Sequence, residues 1–415
     1  MRVFKVMALV LAVSIRCASV RAGDWPQFRG PNRDGKAAEG PQLLKAWPGA
    51  GPRLLWTYQG LGGGYASVSI ADGRVHVTGL EGQNGVLYAL DLDGKLLWKV
   101  TYGPDWSGSH TGTRTTPTVH KGKLYLMSAF GKAVCLDARD GREIWSVDTM
   151  ATFGARNLAW GITESPLVLD DKVIFTPGGP EAGVVALHPE TGETLWICRD
   201  INDLSGYCSP ILISRGGRDI IAQLTGAAFV GIEASSGALL WNQKRSQQPA
   251  YKIQAVSPVY ADGRFYVTTG YGGERGEMYS LSVDGTRVTS QWRDAELDCQ
   301  LGGLVLLDGF IYGAADRNNR GAWLCMNLAT GEVAAKTPGV GKGSVVYADG
   351  MLYGLGENGD VGLIVPDPKD YRMVSSFRLP SGGSGPYRAH PAIADGRLYI
   401  RHDSRLFVYE ISMRP

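Results

Sequence analysis

Short apolar runs alternate with turn residues along this chain, and the alternation itself repeats. Val68 to Val77 reads as two apolar strands around Asp72-Gly73, and Tyr88-Ala89-Leu90-Asp91 leads through Asp93-Gly94 to Leu96-Leu97-Trp98. The same plan returns at Thr116 to Trp145, Ser165 to Trp196, Ser209 to Trp241 and Ser257 to Trp292, about every 41 to 51 residues. Weaker copies span Gly302 to Ala335 and Gly343 to Phe377, where the closing Trp is lost. A repeat of this length with four short strands per unit predicts an all-β fold, a β-propeller of four-stranded antiparallel blades.

The turns carry the pattern. Asp72-Gly73, Asp262-Gly263, Asp308-Gly309, Asp349-Gly350 and Asp395-Gly396 separate runs rich in Val, Ile and Tyr, so they read as tight hairpins that need positive φ. A second set, from Asp93-Gly94 to Thr330-Gly331, joins the third strand of each unit to an outer strand. Trp56, Trp98, Trp145, Trp196, Trp241 and Trp292 fall at equivalent places on those outer strands, where an indole fills the space between neighbouring blades.

The last unit, His390 to Ile411, supplies only three strands, while Arg53 to Tyr58 resembles an outer strand with no hairpin before it. Pairing the two closes the ring, hides both edges and makes eight blades. A seven-bladed ring with an irregular terminal hairpin is the alternative. The repeats run from about residue 53 to 411 without a linker, so one domain is expected over 53–415, preceded by an arm over 23–52.

Arg2 and Lys5 precede the apolar stretch Val6 to Ile15, and Val20-Arg21-Ala22 suits a signal peptidase, so residues 1–22 read as a cleaved signal peptide. The apolar stretch is too short to span a bilayer, although an uncleaved anchor is the competing reading. Arg16 before Cys17 is wrong for a lipobox. The expected location is therefore periplasmic or secreted, with no transmembrane segment.

Of the five cysteines past residue 22, Cys135 and Cys325 occupy third-strand positions and read as buried apolar residues. Cys198 and Cys208 flank one connection between blades, which leaves a disulfide between them open, and Cys299 is left over. Their spacing matches no metal site. A formal net charge of +2, with Lys and Arg scattered, argues against nucleic acid or an acidic membrane surface as partner.

The theme clearest as Ala186-Leu187-His188-Pro189-Glu190-Thr191-Gly192-Glu193-Thr194-Leu195-Trp196 resembles the repeat of the pyrroloquinoline quinone (PQQ) propellers. That superfamily holds quinoprotein alcohol dehydrogenases and the BamB-like propeller of the outer-membrane assembly machinery, which is not an enzyme. The opening Asp24-Trp25-Pro26-Gln27-Phe28-Arg29-Gly30-Pro31-Asn32 also resembles the mature start of exported bacterial propellers of this type, with Trp25 and Phe28 expected to pin the arm. The matching residues are turn and packing residues, so the resemblance implies the fold and leaves activity open.

The cofactor the resemblance brings is PQQ with calcium. Three carboxylates on a planar ring call for Arg or Lys, a flat stacking face, a cation held by carboxylate and amide oxygens, and an Asp or Glu base. In the dehydrogenases one ring face meets a disulfide between adjacent cysteines, a pair this chain lacks. Any site is expected at the central mouth, where the segments entering the innermost strands converge. Arg114 and Arg388 are placed there to clamp an anion, Glu164 to act as base or metal ligand, and Tyr65, Trp160 or Tyr207 to stack on a ring or sugar; Gln254, Gln300 and His390 complete the set. The competing reading is that these groups only fill the channel. Asp316 to Arg320 reads as a long hairpin turn, and the Gly-rich stretches at Gly62 to Gly64 and Gly339 to Gly343 lack the following helix a phosphate cradle needs.

Two functions follow: a monomeric binding or scaffold module with a protein or glycan partner in the cell envelope, or a site in the mouth for a small polar ligand, PQQ or a carbohydrate, with or without redox chemistry.

Overall fold

The computed structural model describes residues 23–245, 253–271, 276–317 and 320–413. The signal-peptide reading of residues 1–22 with Cys17, and the assignments touching Lys252, Asn318 and Asn319, lie outside the described residues.

Eight four-stranded antiparallel sheets form among the described residues. Blade one is Ser69–Ala71, Arg74–Glu81, Asn84–Asp91 and Leu96–Pro104, in that order from the axis outward. Blades two to seven cover 118–148, 167–198, 211–244, 259–294, 305–337 and 343–378. Blade eight takes three strands from 392–410 and its outermost from Arg53–Gln59. Arg53 pairs with Glu410, Thr57 with Phe407 and Gln59 with Arg405, so the ring closes as the incomplete last repeat requires.

Local chemistry explains the hairpins. Asp72 and Gly73 have φ of 52° and 75°, and the other four Asp-Gly pairs repeat this, which is the twist-matched turn between the first two strands of a blade. Lys121-Gly122 and Gly216-Gly217 adopt the same geometry in blades two and four.

Blades interlock through the outer Trp. The Trp56 ring covers Gly94 of the next blade so closely that a Cβ there would lie 2.7 Å from it, and its indole N–H donates to the Leu92 carbonyl at 2.9 Å. Trp98, Trp145, Trp196 and Trp292 cover Gly141, Gly192, Gly237 and Gly331 in the same way. Trp241 departs from the rule: it packs against Phe229 and Phe265, and Ile220 meets Gly285 instead. Where blade seven has Phe377 in place of Trp, the arm sends in Trp47, edge-on at 5.6 Å.

All five described cysteines are buried and free, so the pairing left open between Cys198 and Cys208 is not made. The two thiols pack into different apolar clusters.

The arm does more than pin itself. Trp25 is fully buried and pairs with Ile70, at the end of the ring opposite the mouth. The chain then turns into the channel. Buried Arg33 donates to the carbonyls of Ser165, Pro166 and Pro210 from blades three and four, and buried Arg29 donates to those of Leu304 and Val345 from blades six and seven. Two guanidinium groups thus plug the axis by satisfying backbone acceptors that converge there.

Candidate functional site: a bowl at the central mouth

Strands that run outward from the axis bring each blade's first strand in from one face, so the segments before those strands meet in a ring. A belt of hydroxyls fixes them. Thr116 Oγ1 accepts from the Ser67 amide at 3.1 Å, Ser165 Oγ from the Thr116 amide at 3.0 Å, and Ser209 Oγ from the Ser165 amide at 3.0 Å. Ser257 Oγ donates to the Ser209 carbonyl and Ser67 Oγ to that of His390, both at 2.7 Å.

Above this belt lies a cavity of about 360 Å³, within the size range of small-molecule sites. Seven of the nine expected residues line it: Tyr65, Arg114, Trp160, Tyr207, Gln300, Arg388 and His390. Glu164 and Gln254 do not. Both are fully buried behind the lining, because alternation along an extended segment turns Glu164 away from the cavity that Thr163 faces.

Glu164 Oε1 accepts from the Thr176 amide at 3.1 Å, and burial, only partly offset by that bond and by the Arg33 charge, raises its pKa to about 8. Burial thus favours its neutral form.

Phe28, Tyr271, Ser165 and Ser209 also line the bowl and are absent from the expected set. Phe28 belongs to the arm, so the plug also helps to make the wall of the bowl. Tyr271 follows the second strand of blade five; a chain that enters on the mouth face and turns back once must return to that face, which is the signal that would have found it. Ser165 and Ser209 stand in register with Ser67 and Thr116 in the repeat, and register alone identifies them. Exposed His110 lies at the rim.

Each polar group has a defined state. Arg114 donates to the carbonyls of Trp160 at 2.9 Å and His110 at 2.7 Å and lies 5.6 Å over the Trp106 ring. Burial first, and the Arg388 charge more weakly, pull its pKa down, while Asp105 and the tyrosines Tyr65 and Tyr207 push it up. Arg388 Nε donates to Glu357 at 3.0 Å, and Glu357 is shared with Lys342, which also pairs with Asp316 and donates to Gln300 Oε1.

His390 is held neutral. Its Nδ1 lies 3.3 Å from Arg29 Nη1 and its Nε2 lies 2.8 Å from the Leu301 carbonyl; burial, then the Arg29 charge, pull its pKa down to about 3. With Nδ1 accepting and Nε2–H donating, both ring nitrogens are spent. Tyr207 keeps φ at 87°, a strained value for a side chain of its size, fixed by Thr163 donating to its carbonyl at 2.6 Å.

The lining contains no Asp or Glu among the described residues, and no group of His, Cys, Asp or Glu among them is arranged to hold a metal ion. A calcium-assisted quinone site needs carboxylate oxygens for the cation and a carboxylate base, so these residues do not fit PQQ with calcium in the bowl.

Comparison with known proteins agrees with this architecture. Residues 83–337 match the family described as Outer membrane protein assembly factor BamB. Quinohemoprotein alcohol dehydrogenase ADH-IIG of Pseudomonas putida is 35% identical over 156 residues, which take in 34% of this chain and 21% of that one. The quinoprotein alcohol dehydrogenase PedH of the same species is 25% identical over 47% of this chain and 32% of its own. The matches therefore span only a fifth to a third of these curated relatives. Among solved structures, BamB from Moraxella catarrhalis aligns with a TM-score of 0.62 at 15% identity over 87% of this chain and 98% of its own. Quinohemoprotein alcohol dehydrogenase from Comamonas testosteroni aligns at 0.68 and 14% identity, over 95% and 81%. At such identities the likeness concerns the fold.

Proposed function

The chain belongs to the family of the outer membrane protein assembly factor BamB, and on that premise we propose that it is an exported binding module of the cell envelope whose recognition site is the bowl at the central mouth. One observation carries the reading: the arm closes the channel from the far end, so the ring presents a floored cavity lined by aromatic rings and two arginines instead of an open pore. A cavity of this size, with a few oriented donors in an apolar wall, suits a small polar ligand or one residue of a glycan. Arg2 and Lys5 before the apolar stretch Val6 to Ile15 support export. No helix among the described residues is long and apolar enough to cross a membrane.

A quinoprotein dehydrogenase is the second reading, favoured by the sequence match to ADH-IIG. The donor set of the bowl speaks against it. Titration of the protein with a panel of neutral and acidic sugars, and separately with PQQ plus calcium, separates the two. Saturable quenching of Trp fluorescence by sugars with no dye-linked oxidation supports the binding module. Saturation by PQQ with turnover of an alcohol or sugar replaces it with the dehydrogenase, and saturation by none of the panel removes the bowl as the site.

A further inference from the structure

The bowl has an electrostatic sign as well as a shape. Arg114 and Arg388 both line it, so the two guanidinium groups border one space. His390 contributes no charge, because both of its nitrogens are committed to Arg29 and Leu301. Glu357 and Asp316 line an adjoining cavity that Arg388 also borders, where Lys342 and Arg388 together pair with them, and Asp105 acts on Arg114. Among the described residues the lining therefore holds two arginines and no carboxylate.

The guanidinium groups also have capacity to spare. Arg388 spends Nε on Glu357, and no bond from its Nη atoms is found among the described residues, so those donors are available for a paired contact with a carboxylate. Arg114 has its Nη atoms anchored to two loop carbonyls, so it is held in place as a fixed charge.

Around these charges stand flat faces with polar rims. Trp160 and Tyr207 are tilted 51° at 6.5 Å, and Tyr65 and Tyr271 complete the wall. A pyranose ring offers a C–H face to such rings and hydroxyls to their phenols. The Gln300 side chain, whose oxygen accepts from Lys342, keeps its NH₂ donors available for a ligand oxygen. A plain aromatic acid would use the rings and the arginines but leave the phenols and the amide unanswered.

We infer that the ligand of the bowl is a sugar acid, a pyranose bearing a carboxylate, with the carboxylate on Arg388 under the field of Arg114 and the ring against Trp160 and Tyr207. The inference rests on the bowl being the binding site, and it adds the ligand's charge and ring type.

Calorimetric titration with D-glucuronate and D-glucose tests it, because the two differ only in carboxylate against hydroxymethyl. Glucuronate is expected to bind at least about tenfold more tightly at low salt, as one charge-assisted paired contact implies, and the preference should shrink at high salt. Arg388→Gln should abolish the preference by lowering glucuronate affinity more than glucose affinity, and Arg388→Lys should restore part of it. Both variants are first checked for an unchanged melting temperature; if Arg388→Gln melts early, Gln300→Leu reads the same contact set by lowering affinity for both sugars together. Equal affinity for the two sugars overturns the sugar-acid inference and leaves the bowl as a neutral-sugar site. Benzoate binding as tightly as glucuronate overturns it in favour of a planar acid. Binding of neither sugar, with benzoate also silent, overturns the underlying assignment of the bowl.

Discussion

Arg29 of the arm and His390 at the entrance to the last blade meet inside the ring, Nη1 to Nδ1 at 3.3 Å, across 361 residues of sequence. The contact joins the plug to the wall of the bowl: the arginine that stops the channel also fixes the tautomer of a histidine lining the cavity above. Fold stability and site geometry are therefore coupled through the arm, and several consequences can be measured.

Arg33 is buried and satisfies carbonyls from two blades as well as Gln27 Oε1. Arg33→Ala should cost about 2–4 kcal/mol, since it strands several buried acceptors at once. Exposed Arg139, paired with Asp137, is the control, and Arg139→Ala should leave the unfolding midpoint nearly unchanged. Urea unfolding of both variants checks the contrast.

Glu164 predicts a pH slope. Its pKa is raised in the folded protein to about 8, so between the ordinary carboxylate value and pH 8 the folded state holds a proton the unfolded chain has lost. Its contribution is complete in acid, falls as pH rises through that window and levels off above it. Glu164→Gln, which keeps the acceptor for the Thr176 amide, should be more stable than the parent at pH 9 by up to about 4 kcal/mol and nearly equal to it at pH 5. A gap that widens toward acid would refute this.

His76 gives the opposite slope. Burial, then the Arg74 charge, pull its pKa down to about 3, so the folded form resists a proton that the unfolded chain accepts below about pH 6.5. Stability from this group is full above that pH and is lost as pH falls toward 3. His76→Phe should reduce the protons taken up on acid unfolding by about one, read from the pH dependence of the urea midpoint.

Two glycines with the same φ of 75° separate packing from backbone strain. A Cβ on Gly73 meets open space, whereas one on Gly192 lies 2.9 Å from the Trp145 ring. Gly73→Ala should cost about 1 kcal/mol, and Gly192→Ala about 1–3 kcal/mol more, because it also dislodges the indole that ties two blades together. Thermal melts of the two proteins should differ in that order.

The repeat was legible because its chemistry is local. Asp-Gly pairs dictate left-handed turns wherever they stand, and Trp six times in one register needs only the sequence to be seen. Closure by Arg53–Gln59 followed from counting strands. The mouth was legible as far as each blade's approach segment goes, since topology sends all of them to one face. Glu164 and Gln254 fall behind the lining because one-residue alternation decides whether a side chain faces the cavity or the blade interface. Trp241 follows the register but lacks the expected partner, since Ile220 already occupies the glycine. The plug was invisible for a different reason: Arg29 and Arg33 bond to carbonyls 132 to 316 residues away, and backbone acceptors leave no mark in a sequence.

The central claim, that the arm-floored bowl is the recognition site, is tested most directly by a crystal structure of the protein with D-glucuronate. The account predicts ligand density inside the bowl, with the carboxylate on Arg388 and the ring against Trp160 and Tyr207. Density on the outer strands or at the opposite end of the ring, with the bowl holding only solvent, would contradict it.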